Sequence, residues 1–184
     1  MTTLIGITGL ARSGKDSFSK TFVEHGFKRA AFANALKVTT AYIANEDSNL
    51  YFDEVTKEEL SESLGMTRRS ALQKMGAAVR DTLGVDTWVN RTINGWVAQG
   101  KLPTVITDCR YENEAKAIRA MGGTIVRIVR PGAGLKGEQG AHESERGLPD
   151  DLVDIEITND GSLSELAAEA LKVLRLAGFG ASDV

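Results

Sequence analysis

A glycine-rich turn between two apolar segments constrains the fold of this chain more than any other feature of its sequence. Residues 3–8 are apolar and β-branched, as in a buried parallel strand, and Phe18 and Phe22 recur at helical spacing beyond the turn. The turn itself, Gly9-Leu10-Ala11-Arg12-Ser13-Gly14-Lys15, has the glycine and lysine spacing of a phosphate-binding loop. In such a loop the backbone N–H groups and the following helix N-terminus face the anion. This context predicts binding of a nucleoside triphosphate, in preference to a plain glycine-rich turn with a solvated lysine.

The residue after the loop lysine departs from the usual motif. Asp16 stands where Ser or Thr normally ligates magnesium, and Ser17 follows one place later. Two roles for Asp16 stay open: a carboxylate that helps to hold Mg²⁺, which we favour, or a charge that the helix dipole stabilises. The predicted triphosphate-binding residues in and beside the loop are Ala11, Arg12, Ser13, Gly14, Lys15, Asp16 and Ser17.

Strand-like and helical segments alternate along the rest of the chain. Further strands are predicted at 27–32, 102–109, 124–129 and 154–158, and helices at 14–25, 34–44, 67–83, 86–99, 112–121 and from Ser162 onward. This order predicts an α/β protein of the P-loop NTPase fold, with a central five-stranded parallel sheet flanked by helices. We expect one domain over residues 1–184, with an acidic, exposed insertion at 46–65 and a small lid at about 131–147.

Bulk composition adds expectations about location and partners. The formal net charge of -3 gives no general attraction to nucleic acid or to an anionic membrane, so an anionic ligand needs locally placed basic groups. Cys109 is the single cysteine, as expected in a reducing cytosol. No apolar run reaches the roughly 18 residues of a membrane-spanning helix, and no export signal is visible. We expect a soluble, cytoplasmic protein.

Several segments resemble the deoxynucleoside monophosphate (dNMP) kinases of bacteriophages. They are Arg68 to Gly76 with Asp86-Thr87-Trp88-Val89, Thr107 to Ala115, Ile128 to Gly132, His142 to Glu145, and Thr158-Asn159-Asp160-Gly161-Ser162-Leu163. The Gly-Lys-Asp-Ser ending of the phosphate loop is similar to the Gly-Lys-Asp-Thr of that family, whereas Asn34-Ala35 replaces its frequent Asp-Pro. The resemblance implies phosphoryl transfer from ATP to a dNMP, with Mg²⁺ as cofactor and, for a phage-encoded chain, in the host cytoplasm.

Candidate catalytic residues follow the third and fourth predicted strands of the sheet. Asp108 ends the third strand, where a carboxylate can hold Mg²⁺ or orient the acceptor; the alternative is a helix cap. The resemblance implies that Arg110 lies within reach of the transferred phosphate and that Glu114 contacts the acceptor. The alternative for Glu114 is an ordinary acidic residue in the first turn of a helix. Arg130 precedes the predicted lid, where the resemblance implies an arginine that approaches the triphosphate. Arg127 is a further candidate ATP contact, and a surface ion pair is the alternative. Lys136, His142 and Arg146 lie in the predicted lid and receive no firm role.

A helical region at about 34–100 is the predicted acceptor site. Guanidinium groups suit a monophosphate because they form planar, bidentate hydrogen bonds. The candidates are Arg68, Arg69, Gln73, Arg80 and Trp88, of which Arg69, Gln73 and Arg80 share one helical face; an exposed polar stripe and a core tryptophan are the alternatives.

The predicted partners are therefore ATP and a dNMP. We expect no binding to nucleic acid or to a membrane. Formation of a homodimer is possible on this sequence. Competing functions are a P-loop kinase for another small acceptor, such as dephospho-coenzyme A or a sugar acid, and a nucleotide-gated module without kinase activity.

Overall fold

The computed structural model describes residues 3–134 and 146–179. Its strands are β1 (Leu4–Thr8), β2 (Lys28–Ala30), β3 (Leu60–Ser61), β4 (Met66–Thr67), β5 (Thr104–Ile106), β6 (Thr124–Val129) and β7 (Ile155–Thr158). Its α-helices are α1 (Lys15–Glu24), α2 (Ala33–Ala44), α3 (Asn49–Phe52), α4 (Arg68–Leu83), α5 (Thr87–Ala98), α6 (Glu112–Ala120) and α7 (Leu163–Leu176). Short 3₁₀ turns lie at Thr56–Glu58 and Asp150–Leu152.

The main sheet places β1 at its centre. Within the described residues five parallel strands follow the order β2-β5-β1-β6-β7. The chain leaves β1 toward one side of the sheet for β2 and β5, then crosses to the other side for β6 and β7. Ligands of open α/β sheets collect outside the carboxyl ends of the strands at such a reversal. The segments that follow β1, β5 and β6 therefore meet at the edge where a ligand is expected.

Helices cover both faces of this sheet. Ile5 and Ile7 of β1 are fully buried in a core cluster with Phe18 and Phe22 of α1 and Leu166 of α7. Side chains alternate between the faces of a strand, so Gly6 points the opposite way. There α6 packs so closely that a Cβ at Gly6 would lie 2.7 Å from the Cδ1 atom of Ile118. The predicted five-stranded parallel sheet flanked by helices is confirmed.

The chain divides into two compact units, one of residues 1–31 with 93–184 and the other of residues 32–92. The second unit contains α2, α3, the antiparallel β3–β4 pair, α4 and the first half of α5. Ala41, Ala44 and Tyr51 form its small apolar core. The expectation that residues 46–65 are an exposed insertion is wrong at three positions, because Tyr51, Lys57 and Ser61 are buried.

Lys136, His142 and most of the predicted lid lie outside the described residues. Among the described helices, none has the length and apolar character needed to cross a membrane.

Candidate nucleotide-binding site

The loop between β1 and α1 has the backbone curvature that an anion-binding loop needs. Gly9 (φ 136°), Arg12 (φ 65°) and Gly14 (φ 103°) all adopt positive φ values. A side chain at Gly9 would collide with the backbone, because its Cβ would lie 2.3 Å from the carbonyl oxygen of Ile128. Glycine at this position therefore allows the loop after β1 to lie directly against the backbone of β6.

Two hydrogen-bond donors from segments that are distant in the sequence hold carbonyl groups of this loop. The N–H of Gly134 donates to the carbonyl oxygen of Ala11 at 2.9 Å. The side-chain Nδ2 of Asn159 donates to the carbonyl oxygen of Ser13 at 2.8 Å, in a buried hydrogen bond. Gly134 follows β6 and Asn159 follows β7, so the sheet edge itself supports the phosphate loop.

Lys15 begins α1 and folds back across the loop. Its Nζ donates to the carbonyl oxygens of Gly9 at 2.7 Å and Leu10 at 2.6 Å. The ammonium group of Lys15 thus lies over the loop, where it can accompany a bound phosphate.

The hydroxyl of Ser13 is buried and has no hydrogen-bond partner within the part of the chain that the structure describes.

Asp16 lies on the first turn of α1 and is largely exposed, with 82% of its side chain accessible. Its carboxylate forms an ion pair with Arg29, which extends from the edge strand β2. Ser17 is also exposed. In the described segments, no group of three or more His, Cys, Asp or Glu residues could hold a metal by itself. Magnesium commonly binds through one or two protein oxygens together with substrate phosphates, so this arrangement suits it without such a cluster.

Asp108 and Arg110 lie in the loop after β5, beside the end of β1. The N–H of Cys109 donates to the carbonyl oxygen of Ile7 at 3.1 Å, which joins this loop to the strand that carries the phosphate loop. Asp108 and Arg110 are partly buried, whereas Cys109 is fully buried. Burial, together with the charges of neighbouring carboxylates, raises the pKa of the Cys109 thiol, so it stays protonated.

Glu114 is buried under the same loop at the first turn of α6. Its carboxylate accepts hydrogen bonds from the N–H groups of Arg110 at 2.6 Å and Tyr111 at 3.0 Å. Burial, and next the charge of Asp108, raises the pKa of Glu114 from 4.5 to about 8 against these hydrogen bonds. In this structure Glu114 caps α6 and supports the Asp108–Tyr111 loop.

The two candidate arginines of β6 have different surroundings. Arg130 directly follows the strand and is exposed. Arg127 forms ion pairs with Asp150 at 2.5 Å and Glu156 at 3.2 Å, and it donates to the carbonyl oxygen of Leu148. The guanidinium of Arg127 is therefore held by these contacts, whereas Arg130 is an exposed residue at the carboxyl end of β6.

The acceptor candidates other than Glu114 lie in the second unit, and their surroundings also differ. Arg68 is buried and pairs with Glu46 at 2.9 Å. Arg69 pairs with Glu58 and, at 3.4 Å, with Glu54. Among the remaining three, Gln73 is exposed, Arg80 is partly buried, and Trp88 is partly buried with its Nε1 atom inaccessible and without a hydrogen-bond partner in the described segments.

Sequence reasoning missed two residues that contact the phosphate loop and its helix. Asn159 lies in a segment that resembles a known family, and the sequence alone gives Arg29 no role. Their partners lie 146 and 13 residues away in the chain, so no local spacing could have linked them. The Asn-Asp-Gly turn after the last strand was the available signal for Asn159.

Residues 66–170, more than half of the chain, match the sequence profile of the deoxynucleotide monophosphate kinase family. The deoxynucleotide monophosphate kinase of Escherichia phage RB69 is 44% identical over 71 residues, which cover 39% of this chain and 28% of the phage protein. A provisionally named deoxynucleotide monophosphate kinase of Acanthamoeba polyphaga mimivirus is 27% identical over 184 residues, covering 91% of this chain and 94% of that protein.

Among solved structures, the dephospho-CoA kinase of Campylobacter jejuni has a similar fold. It superposes with a TM-score of 0.58 at 14% identity, covering 95% of this chain and 96% of that one. At this identity the likeness concerns the fold alone. The match to the phage protein spans less than a third of that protein's length, whereas the family profile, over residues 66–170, covers part of each compact unit. On the profile match, this chain belongs to the deoxynucleotide monophosphate kinase family.

Proposed function

We propose that this chain phosphorylates deoxynucleoside monophosphates with ATP, forming dNDP and ADP. The observation that carries the proposal is the phosphate loop after β1, curled by three residues of positive φ and crossed by the Lys15 ammonium group. Family membership supports the identity of the acceptor, because a phosphate loop alone does not specify one. We propose the cytoplasm, and the host cytoplasm for a phage-encoded chain, as the place of the reaction.

The proposed chemistry is in-line attack of an acceptor phosphate oxygen on the γ-phosphorus of ATP. The O–P bond to the γ-phosphorus forms as the bond to the β–γ bridging oxygen breaks, so ADP leaves with that oxygen. The attacking phosphate is already largely ionised at pH 7, so the step needs no general base. Lys15, Arg110 and Arg130 would neutralise the charge of the transferred group, which is the main contribution a protein makes to this reaction.

Asp16, Ser17 and Asp108 are the residues that we propose to hold Mg²⁺, directly or through water. Oxygen donors of this kind suit a hard cation, and Asp16 and Ser17 are exposed beside the phosphate loop. When bound, magnesium would supply charge neutralisation at the β- and γ-phosphates. Asp16 would then exchange its ion pair with Arg29 for the metal.

For the acceptor phosphate we propose Arg69 and Arg80 of α4, with Gln73 and Trp88 contacting the base. Gln73 is exposed on the same helical face as the two arginines. Arg68 differs, because its guanidinium is enclosed by Glu46, the carbonyl oxygen of Thr56 and the ring of Tyr51. We propose that Arg68 supports α4 rather than touching the acceptor.

Dephospho-coenzyme A is the competing acceptor, motivated by the fold likeness to a dephospho-CoA kinase. At 14% sequence identity that likeness concerns the fold alone, which carries no acceptor preference. A nucleotide-gated module without kinase activity is a third possibility that the same assay separates.

The test is to incubate the purified chain with Mg-ATP and, separately, each of the four dNMPs, dephospho-coenzyme A, or no acceptor. We expect dNDP and ADP in equal amounts with at least one dNMP, and little ADP without an acceptor. Product formation with dephospho-coenzyme A alone would replace the proposal, and absence of product with every acceptor would contradict it.

Lys15→Met provides the internal control of that assay. Removing a preorganised charge from the transferred phosphate is expected to lower turnover by about two to three orders of magnitude. Lys20→Met is the matched variant, because Lys20 is exposed on the same helix and pairs with Glu24 at 3.7 Å. It is expected to retain the activity of the unmodified chain.

A further inference from the structure

The turn after β7 contains a buried amide side chain that reaches the phosphate loop. Asn159 is 6% exposed, and its Nδ2 donates to the carbonyl oxygen of Ser13 at 2.8 Å. Its own N–H donates to the carbonyl oxygen of Val129 at 2.7 Å. Asn159 is thereby fixed by its backbone to the end of β6 while its side chain holds the phosphate loop.

The geometry of the peptide bond gives this contact a consequence for anion binding. The carbonyl of Ser13 and the N–H of Gly14 belong to one planar, trans peptide unit, so they point in opposite directions. When Asn159 holds the Ser13 carbonyl on its side, the Gly14 N–H is turned away from Asn159. A carbonyl oxygen turned toward a phosphate would repel it, whereas an N–H group attracts it.

Gly14 and Asn159 also fit one another sterically. A Cβ atom at Gly14 would lie 2.4 Å from the Nδ2 atom of Asn159, and Gly14 has a φ of 103° that L side chains rarely adopt. The carboxamide thus fills the space that the absent side chain leaves. Gly14 and Asn159 therefore contact each other directly, although they are far apart in the sequence.

We propose that Asn159 is a positioning residue for the triphosphate: its carboxamide fixes the Ser13–Gly14 peptide so that the Gly14 N–H is available to the bound phosphates. The inference rests on the proposed binding of ATP at the phosphate loop. It assigns a role to the Thr-Asn-Asp-Gly turn, which lies at the end of the outermost strand of the sheet.

Asn159→Asp tests the proposal with almost no change of volume. The variant replaces the Nδ2 donor with an oxygen that repels the Ser13 carbonyl. We expect the Kd for Mg-ATP, measured by calorimetry without an acceptor, to rise about tenfold, which corresponds to roughly 1.4 kcal/mol. The KM for the dNMP is expected to change little, while the buried carboxylate is expected to lower the thermal unfolding midpoint. Asp160→Asn is the matched control at the exposed next residue and should bind ATP as the unmodified chain does.

Each outcome bears on the proposal. A folded Asn159→Asp variant with an unchanged Kd for Mg-ATP would overturn it. If that variant does not fold, Asn159→Ala, which removes the donor without adding a charge, takes its place with the same expected rise in Kd; loss of the fold in both would make Asn159 a residue of general stability and equally contradict the proposal. An unmodified chain that binds ATP and forms no dNDP would contradict the proposed kinase activity while the affinity comparison still decides the role of Asn159.

Discussion

Asp16 is the residue whose chemistry departs most from an ordinary phosphate loop. Its carboxylate is exposed beside Lys15 and pairs with Arg29 across the surface. If it helps to hold Mg²⁺, Asp16→Asn should lower turnover on the order of 10–100-fold, as removal of groups that support a metal commonly does. The Kd for ATP should change far less. Steady-state kinetics and calorimetry together measure the two effects.

Arg29→Gln is the control for that prediction, because it removes the partner of Asp16 and keeps the carboxylate. Exposed ion pairs of this kind contribute about 0–1 kcal/mol, so neither variant should unfold the protein. Equal loss of turnover and ATP affinity in Asp16→Asn would favour the alternative, in which the carboxylate only stabilises the start of α1.

Glu114 gives the protein a pH dependence whose sign follows from its raised pKa. With a pKa of about 8 in the folded chain against 4.5 ordinarily, folded Glu114 keeps a proton that the unfolded chain releases. The free energy of unfolding is therefore expected to fall as pH rises from about 4.5 through 8. Glu114→Gln, which stays neutral, should flatten this fall when unfolding is measured in urea at several pH values.

Glu112→Gln is the comparison for Glu114, since Glu112 is exposed on the same helix and pairs with Lys116 at 2.8 Å. It should leave the pH dependence between 5 and 8 essentially as in the unmodified chain. An unaltered slope in Glu114→Gln would show that another group carries the proton.

At the scale of elements, α4 begins with two adjacent arginines that have different roles in the structure. Arg68 is buried against Glu46, whereas the side chain of Arg69 is 25% exposed among the carboxylates of Glu54 and Glu58. Burial alone would raise the pKa of Glu46, but hydrogen bonds from Arg68, Tyr51 and Ser61 outweigh it and lower that pKa. The pair thus keeps Glu46 ionised inside the second unit.

Arg68→Ala would leave the Glu46 carboxylate, whose side chain is 16% exposed, without its cation. We expect a loss of about 3 kcal/mol in the free energy of unfolding, which is typical of one partner removed from a buried pair. Arg69→Ala should cost less than about 1 kcal/mol, because its partners are more exposed, and should instead raise the KM for the dNMP. Denaturant unfolding and acceptor kinetics on both variants test this contrast, and equal stability losses would contradict it.

The elements of the sheet could be predicted from the sequence because each carries its own local signal. All five strands appear within the predicted segments, and β6 has the predicted bounds at Thr124–Val129. The Ser162–Glu165 capping box at the start of α7 is also present. Residues 46–65 lacked a periodic signal, so the burial of Tyr51 and the short β3–β4 pair could not be predicted. Their structure depends on contacts with α2 and α4 within the second unit.

The candidate site was less predictable than the fold, because a motif identifies residues of the site but not the residues that they contact in the folded chain. Lys15 and Asp108 follow from position: one ends the glycine-rich loop and the other follows a strand next to β1. The burial of Glu114 and the pairing of Arg127 with Asp150 and Glu156 depend on segments brought together only by folding. The ligand contacts predicted for these two residues remain predictions.

For the whole molecule, the predicted ligands are divided between the two compact units. The proposed triphosphate residues belong to the unit of residues 1–31 and 93–184, and the proposed acceptor residues of α4 belong to the unit of residues 32–92. Each ligand should therefore protect the backbone amides of its own unit from hydrogen exchange. At a ligand concentration of 100 Kd, the stabilisation is about 2.7 kcal/mol, or roughly a hundredfold slower exchange where opening requires ligand release.

Hydrogen exchange followed by mass spectrometry measures this division directly. Mg-ATP is expected to slow exchange in residues 9–17, and a dNMP that is a substrate should slow it in α4. Lys15→Met should lose the first effect and keep the second, because its α4 is unchanged. Protection of α4 by the dNMP with none of residues 9–17 by Mg-ATP would contradict ATP binding at the phosphate loop, and the reverse pattern would move the acceptor site away from α4.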